Sequence, residues 1–173
     1  MNALRVIPMC LVCLGPATVD ASSDATTSAK TYVTYIAQPG EAVAAHNFIR
    51  DKLGVPPLVW SDALAQVAKD WANKLMSTGL FMHSSDLRYG ENLFQISGPG
   101  ATSTAFEVVN AWAGEAQFYD YDTNTCRGRC GHYTQVVWRD TKQVGCAVAR
   151  DIRREVWVCE YAPYGNIIGE RPY

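Results

Sequence analysis

Two apolar runs, Val144 to Ala149 and Glu155 to Tyr161, admit one pairing that buries both, and that pairing constrains the rest of the chain. With Cys146 opposite Cys159, Val148 faces Trp157, Val144 faces Tyr161, and Arg150 meets Glu155 across a four-residue turn. A slip of one residue would turn the two apolar sets to opposite faces. The register makes Cys146–Cys159 the natural disulfide and leaves Cys126 and Cys130 as the second pair. Chain-entropy reasoning assigns each bridge about 2–3 kcal/mol, the smaller loop less.

Helices surround this hairpin. Ser61 is placed to cap a helix whose Leu64, Val67, Ala68, Trp71, Ala72 and Leu75 follow the i, i+3, i+4 rule until Gly79 closes it. Trp71 reads as core, and truncating it to Ala is expected to cost about 3–5 kcal/mol. A first helix over Glu41 to Leu53 presents Ala45, Phe48, Ile49 and Leu53 on one face, with His46 near its edge; Gly54-Val55-Pro56-Pro57 ends it. Thr104 and Glu107 form a T-x-x-E capping box that opens a third helix carrying Val108, Trp112 and Glu115 on one face. The expected fold class is α+β, a three-layer α-β-α sandwich on a small antiparallel sheet of three or four strands, with two disulfides.

The N-terminus reads as a targeting segment. Arg5 precedes the apolar core Val6 to Gly15, and Val19-Asp20-Ala21 offers small residues for cleavage, so 1–21 is a signal peptide and the chain is secreted, with no transmembrane segment. Cys10 and Cys13 fall inside that core, which leaves an even set of four cysteines, as two disulfides in an oxidising compartment require. Residues 22–37, rich in Ser, Thr and Ala, read as a flexible arm, and 38–173 as one domain. A net charge of -2 and a pI near 5.9 give no basic field for nucleic acid or anionic lipid, and a monomer is expected. No N-x-[ST] sequon is present.

Between the third helix and the hairpin runs Cys126-Arg-Gly-Arg-Cys130-Gly-His132-Tyr-Thr-Gln-Val-Val-Trp138. Its alternation places His132, Thr134, Val136 and Trp138 on one face of a strand that begins at the rim of the sheet. Gly131 to Trp138 resembles the signature of the CAP superfamily, which groups cysteine-rich secretory proteins, venom antigens and plant pathogenesis-related proteins. Tyr89-Gly90-Glu91-Asn92-Leu93, Phe118-Tyr119-Asp120-Tyr121-Asp122, and Gly165-Asn166 with terminal Arg171-Pro172-Tyr173 resemble the plant branch. The resemblance covers Gln38 to Tyr173 and implies an α-β-α sandwich. Plant members usually carry a third bridge, whose cysteines would fall near Gly79 and Asp151; both are absent here.

The resemblance also implies that His83, Glu91, Glu115 and His132 line one central cleft. Two imidazoles and two carboxylates have three uses: His83 and His132 can hold a divalent metal such as zinc, the set can supply a general acid and base, or the residues can pair and tie loop, helix and sheet together. No H-E-x-x-H or G-x-S-x-G is present, so no reactive group is recognisable and no cofactor is required. Phe118, Tyr119 and Tyr121 read as core and cleft lining; the resemblance implies sterol or lipid binding near that loop. It further implies that the tail from Pro163 is a signalling peptide freed by a processing protease after Ala162 and read by a receptor, although relatives carry Asn where this chain has Glu160. An arm packed on the sheet is the alternative. The expected function is that of an extracellular, apoplast-type defence protein that binds sterols and acts against microbes, with a metal-assisted hydrolase as the alternative.

Overall fold

The computed structural model describes residues 31–173. The signal segment, the Cys10–Cys13 pair and the arm up to residue 30 lie outside the described residues. Strands β6 (Gln143–Arg150) and β7 (Arg154–Ala162) pair antiparallel with Cys146 opposite Cys159, Val148 opposite Trp157 and Arg150 opposite Glu155. Disulfides join Cys146 to Cys159 and Cys126 to Cys130. β3 (Gly90–Ser97) pairs antiparallel with the other edge of β7, and β1 (Val33–Ile36) and β2 (Val59–Trp60) share the far edge of β6, while β4 (Tyr119–Asp120) and β5 (Thr125–Cys126) form a separate antiparallel pair.

The sheet therefore has five strands, and β2 runs parallel to β6, where three or four antiparallel strands were expected. β1 lies in the segment read as a flexible arm, because Val33-Thr-Tyr-Ile has strand-forming side chains whose partner edge lies more than 100 residues away. β3 falls where the sequence predicts a loop, because as an edge strand it mixes polar and apolar residues without a clean period.

Strand alternation sorts the core into two layers. Ala147, Ala149, Val156 and Val158 meet Ala68, Ala72 and Leu75 of α2 (Asp62–Thr78). Val144, Cys146, Val148, Trp157 and Tyr161 meet Val108 and Trp112 of α3 (Ala105–Ala113) and Tyr133 and Val136 of α4 (Gly131–Val136), with α1 (Pro39–Asp51) beside them. This is a three-layer α-β-α sandwich. α2 comes so near the sheet that a Cβ on Gly145 would lie 2.2 Å from the backbone N of Ala65.

The caps form as the sequence implies. Ser61 accepts from Leu64 N, Gly79 closes α2 at φ 74°, and Thr104 with Glu107 makes the reciprocal capping box. Trp71, in contrast, is only half-buried, and its Nε1 donates to Met82 O at 3.2 Å. Trp71→Ala is therefore expected to cost about 1–2 kcal/mol, from partial burial and one hydrogen bond, in a urea titration. A loss near 4 kcal/mol would contradict this placement.

Three further expectations change. Phe48 is 52% exposed, while His46 and Arg50 are wholly buried on α1. Glu115 lies beyond the end of α3, on a single 3-10 turn over Gly114–Phe118. His132 to Val136 is helical, because residues 133 to 138 are buried on all sides and tertiary packing, not alternation, chooses their conformation. The tail packs down: Arg139 N donates to Pro172 O at 2.7 Å and the Tyr133 and Tyr173 hydroxyls lie 2.8 Å apart.

Candidate functional site

β3 is the free edge of the sheet, and a cleft of about 420 Å³ opens along it. Glu91, Asn92 and Leu93 contribute consecutively, as expected where the strand edge itself forms the floor. Phe81, Met82 and His83 wall one side, and Arg129, Gly131, His132 and Asn166 the other.

Each histidine is held by one glutamate. Glu91 Oε1 accepts from His83 Nδ1 at 2.5 Å, and both its oxygens take Ser84 N. The bond to Glu91 holds the His83 imidazolium and pushes its pKa up, against the opposing effect of desolvation. Glu115 grips His132 at two points, accepting from its backbone N at 3.0 Å and from Nδ1 at 2.8 Å. That backbone N belongs to the first turn of α4, where helix geometry supplies no partner and favours a carboxylate. The His132 ring also stacks on Trp112 at 6.1 Å.

His83, Glu91 and His132 thus share the cleft, whereas Glu115 lies behind His132 and does not line it. Both rings face their carboxylate through Nδ1, which leaves Nε2 as the nitrogen turned away from it, the arrangement that suits metal ligation. Among the described residues, however, no group of three or more His, Cys, Asp or Glu side chains could hold a metal ion. The donors present do not by themselves make a zinc centre.

Phe118, Tyr119 and Tyr121 do not line this cleft; Tyr119 lines a neighbouring groove that shares Gly131 and Asn166 with it. Tyr119 and Tyr121 pack edge to face, and Tyr121 stacks on Tyr173 at 5.1 Å, so they hold the tail. Ala162 closes β7, and its carbonyl accepts from Lys142 N at 2.9 Å, next to Pro163.

Two residues beneath the cleft were not read as site residues from the sequence. Glu160 stands opposite Glu91 in the β3–β7 register and is 2% exposed. Burial, then the neighbouring Glu91 carboxylate, pushes its carboxyl up to about 8. The signal was present, since a Glu between Cys159 and Tyr161 interrupts a strand that is otherwise apolar. Asn92 is 1% exposed and donates to His132 O and to the Tyr161 hydroxyl.

Similarities to known proteins agree with this architecture. The chain is 42% identical over 132 residues to pathogenesis-related protein 1 of Arabidopsis thaliana, spanning 76% of this chain and 80% of that one. It is 46% identical over 132 residues to pathogenesis-related protein 1B of Nicotiana tabacum, spanning 75% and 77%. Its fold matches the crystal structure of NaASP2 with Zn2+ at a TM-score of 0.67 and 24% identity, over 78% of this chain and 84% of that one. It matches venom allergen-like protein 4 of Schistosoma mansoni at 0.62 and 24%, over 76% and 90%. Residues 43–161 match the model of the cysteine-rich secretory protein family, and the chain belongs to that family, CAP.

Proposed function

We propose that this chain is a secreted defence protein that takes up sterols or similar lipids of an invading microbe in the β3-edge cleft and inhibits growth by withholding them. Its similarity to plant pathogenesis-related proteins supports the defence role. One observation carries the lipid reading: Phe81 and Met82, which wall the cleft, are 47% and 54% exposed, and Leu80 next to them in the chain is 54% exposed. An apolar rim of this kind on a concave site marks a surface made for an apolar partner.

Titrating the purified protein with ergosterol is expected to raise sterol solubility saturably, and Phe81→Asp with Met82→Asp to weaken binding at least tenfold. Loss of binding with Phe118→Ala and Tyr121→Ala instead would move the site to the aromatic loop. Binding abolished by a chelator would favour the metal reading, and no change in sterol solubility would remove the lipid reading altogether. Release of the tail as a peptide is not part of this proposal. It would break the hydrogen bonds of Thr141 to Pro163 O and of Arg139 N to Pro172 O, and the Tyr121 and Tyr133 contacts of Tyr173, which read more simply as a clamp.

A further inference from the structure

Asn92 closes a hydrogen-bond chain in which every proton can be assigned. Wholly buried His46 places Nδ1 2.7 Å from Ala42 O, and a carbonyl only accepts, so Nδ1 carries the hydrogen. Burial, and then the nearby Arg50 charge, hold the pKa of His46 down, to about 4, and the ring is neutral. Nε2 therefore accepts, and the Tyr161 hydroxyl donates to it at 2.8 Å. With its hydrogen spent, the Tyr161 oxygen only accepts, and Asn92 Nδ2 donates to it at 3.3 Å and to His132 O at 3.1 Å.

Both amide hydrogens of Asn92 are thereby used. Turning the amide over would set Oδ1 against two acceptors, so its orientation is forced by the core and not by the cleft. Oδ1 is left without a donor: among the described residues it is the buried side-chain polar atom that has no hydrogen-bond partner. It belongs to a residue that lines the cleft between the apolar Phe81, Met82 and Leu93 and the His132 side. Buried acceptors are met by a donor in the great majority of folded proteins.

We propose that Asn92 Oδ1 is the acceptor for a ligand hydroxyl, and that the cleft selects apolar molecules bearing a free alcohol. This rests on the lipid reading above and narrows it. A ketone or ester at the same position brings a second acceptor against Oδ1 and leaves it unmet. A site built to hydrogen-bond a hydroxyl discriminates strongly against an analogue that lacks one.

The test compares cholesterol with 5-cholesten-3-one on the wild-type protein, which requires no variant to fold. At least a tenfold preference for the alcohol is expected, and it should disappear in Asn92→Leu where circular dichroism shows that variant folded. Equal binding of alcohol and ketone overturns the inference and leaves the lipid reading standing. A preference that survives in folded Asn92→Leu also overturns it, because the hydroxyl would be read elsewhere. Binding of neither molecule overturns both.

Discussion

Glu160→Gln is expected to stabilise the protein by roughly 2–4 kcal/mol near pH 8, with little effect near pH 4, since each unit of pKa displacement is worth about 1.4 kcal/mol. The folded-state pKa of Glu160 lies at about 8, above the usual carboxylate value, because the side chain is buried opposite Glu91. A raised pKa contributes stability that is complete below the unfolded value. That contribution is lost as pH rises towards about 8, because the unfolded chain ionises freely while the folded chain holds the proton. Glutamine keeps the shape and a donor towards Glu91 but has no proton to lose. Thermal midpoints of the two proteins, measured from pH 4 to pH 9, should diverge steadily above pH 5, and parallel curves would show that Glu160 ionises normally.

Arg50→Ala is expected to lower stability by about 4 kcal/mol or more, as breaking a buried charged network does. Arg50 is wholly buried and, among the described residues, pairs with no carboxylate; Nε donates to Pro56 O at 2.7 Å, one terminal nitrogen to Val136 O and Trp138 O at 2.9 Å each, and the other to Thr141 O at 3.2 Å. Burial draws its pKa down to about 10, so it stays charged at neutral pH. One guanidinium thus ties α1 to the exit of α4, the helix that carries His132. Arg50→Lys should recover only part of the loss, because a single ammonium cannot span that fork of acceptors. At roughly 3 °C per kcal/mol for a domain of this size, the thermal midpoint should fall by about 12 °C in Arg50→Ala. A midpoint within about 2 °C of wild type would contradict the network. The same variant should also weaken ligand binding at the cleft, since α4 loses its anchor.

The parts of this molecule that local chemistry decides were open to a reader of the chain. Ser61, Gly79, Thr104 and Glu107 set helix ends through bonds made within a few residues. Cys146 and Cys159 set the β6–β7 register because a one-residue slip would part the two cysteines and turn Val148 and Trp157 to opposite faces. His83 and His132 were nameable from their motifs, yet which carboxylate holds each ring was not. Those bonds span contacts that no local period encodes.

What folding alone decided depends on long-range neighbours. His132 to Val136 alternates like a strand but coils, since it is enclosed on every side and Glu115 takes the free amide at its start. Val33–Ile36 becomes a strand because β6 offers an open edge, and Arg50 turns inward because unpaired carbonyls await it there. Glu160 holds its proton because the fold buries it and the register sets Glu91 across from it, and Asn92 keeps an unmet oxygen because Tyr161 and the His132 carbonyl take both of its amide hydrogens. Periodicity and capping act over a few residues of chain, whereas desolvation and hydrogen-bond direction are set by whatever the finished fold brings alongside.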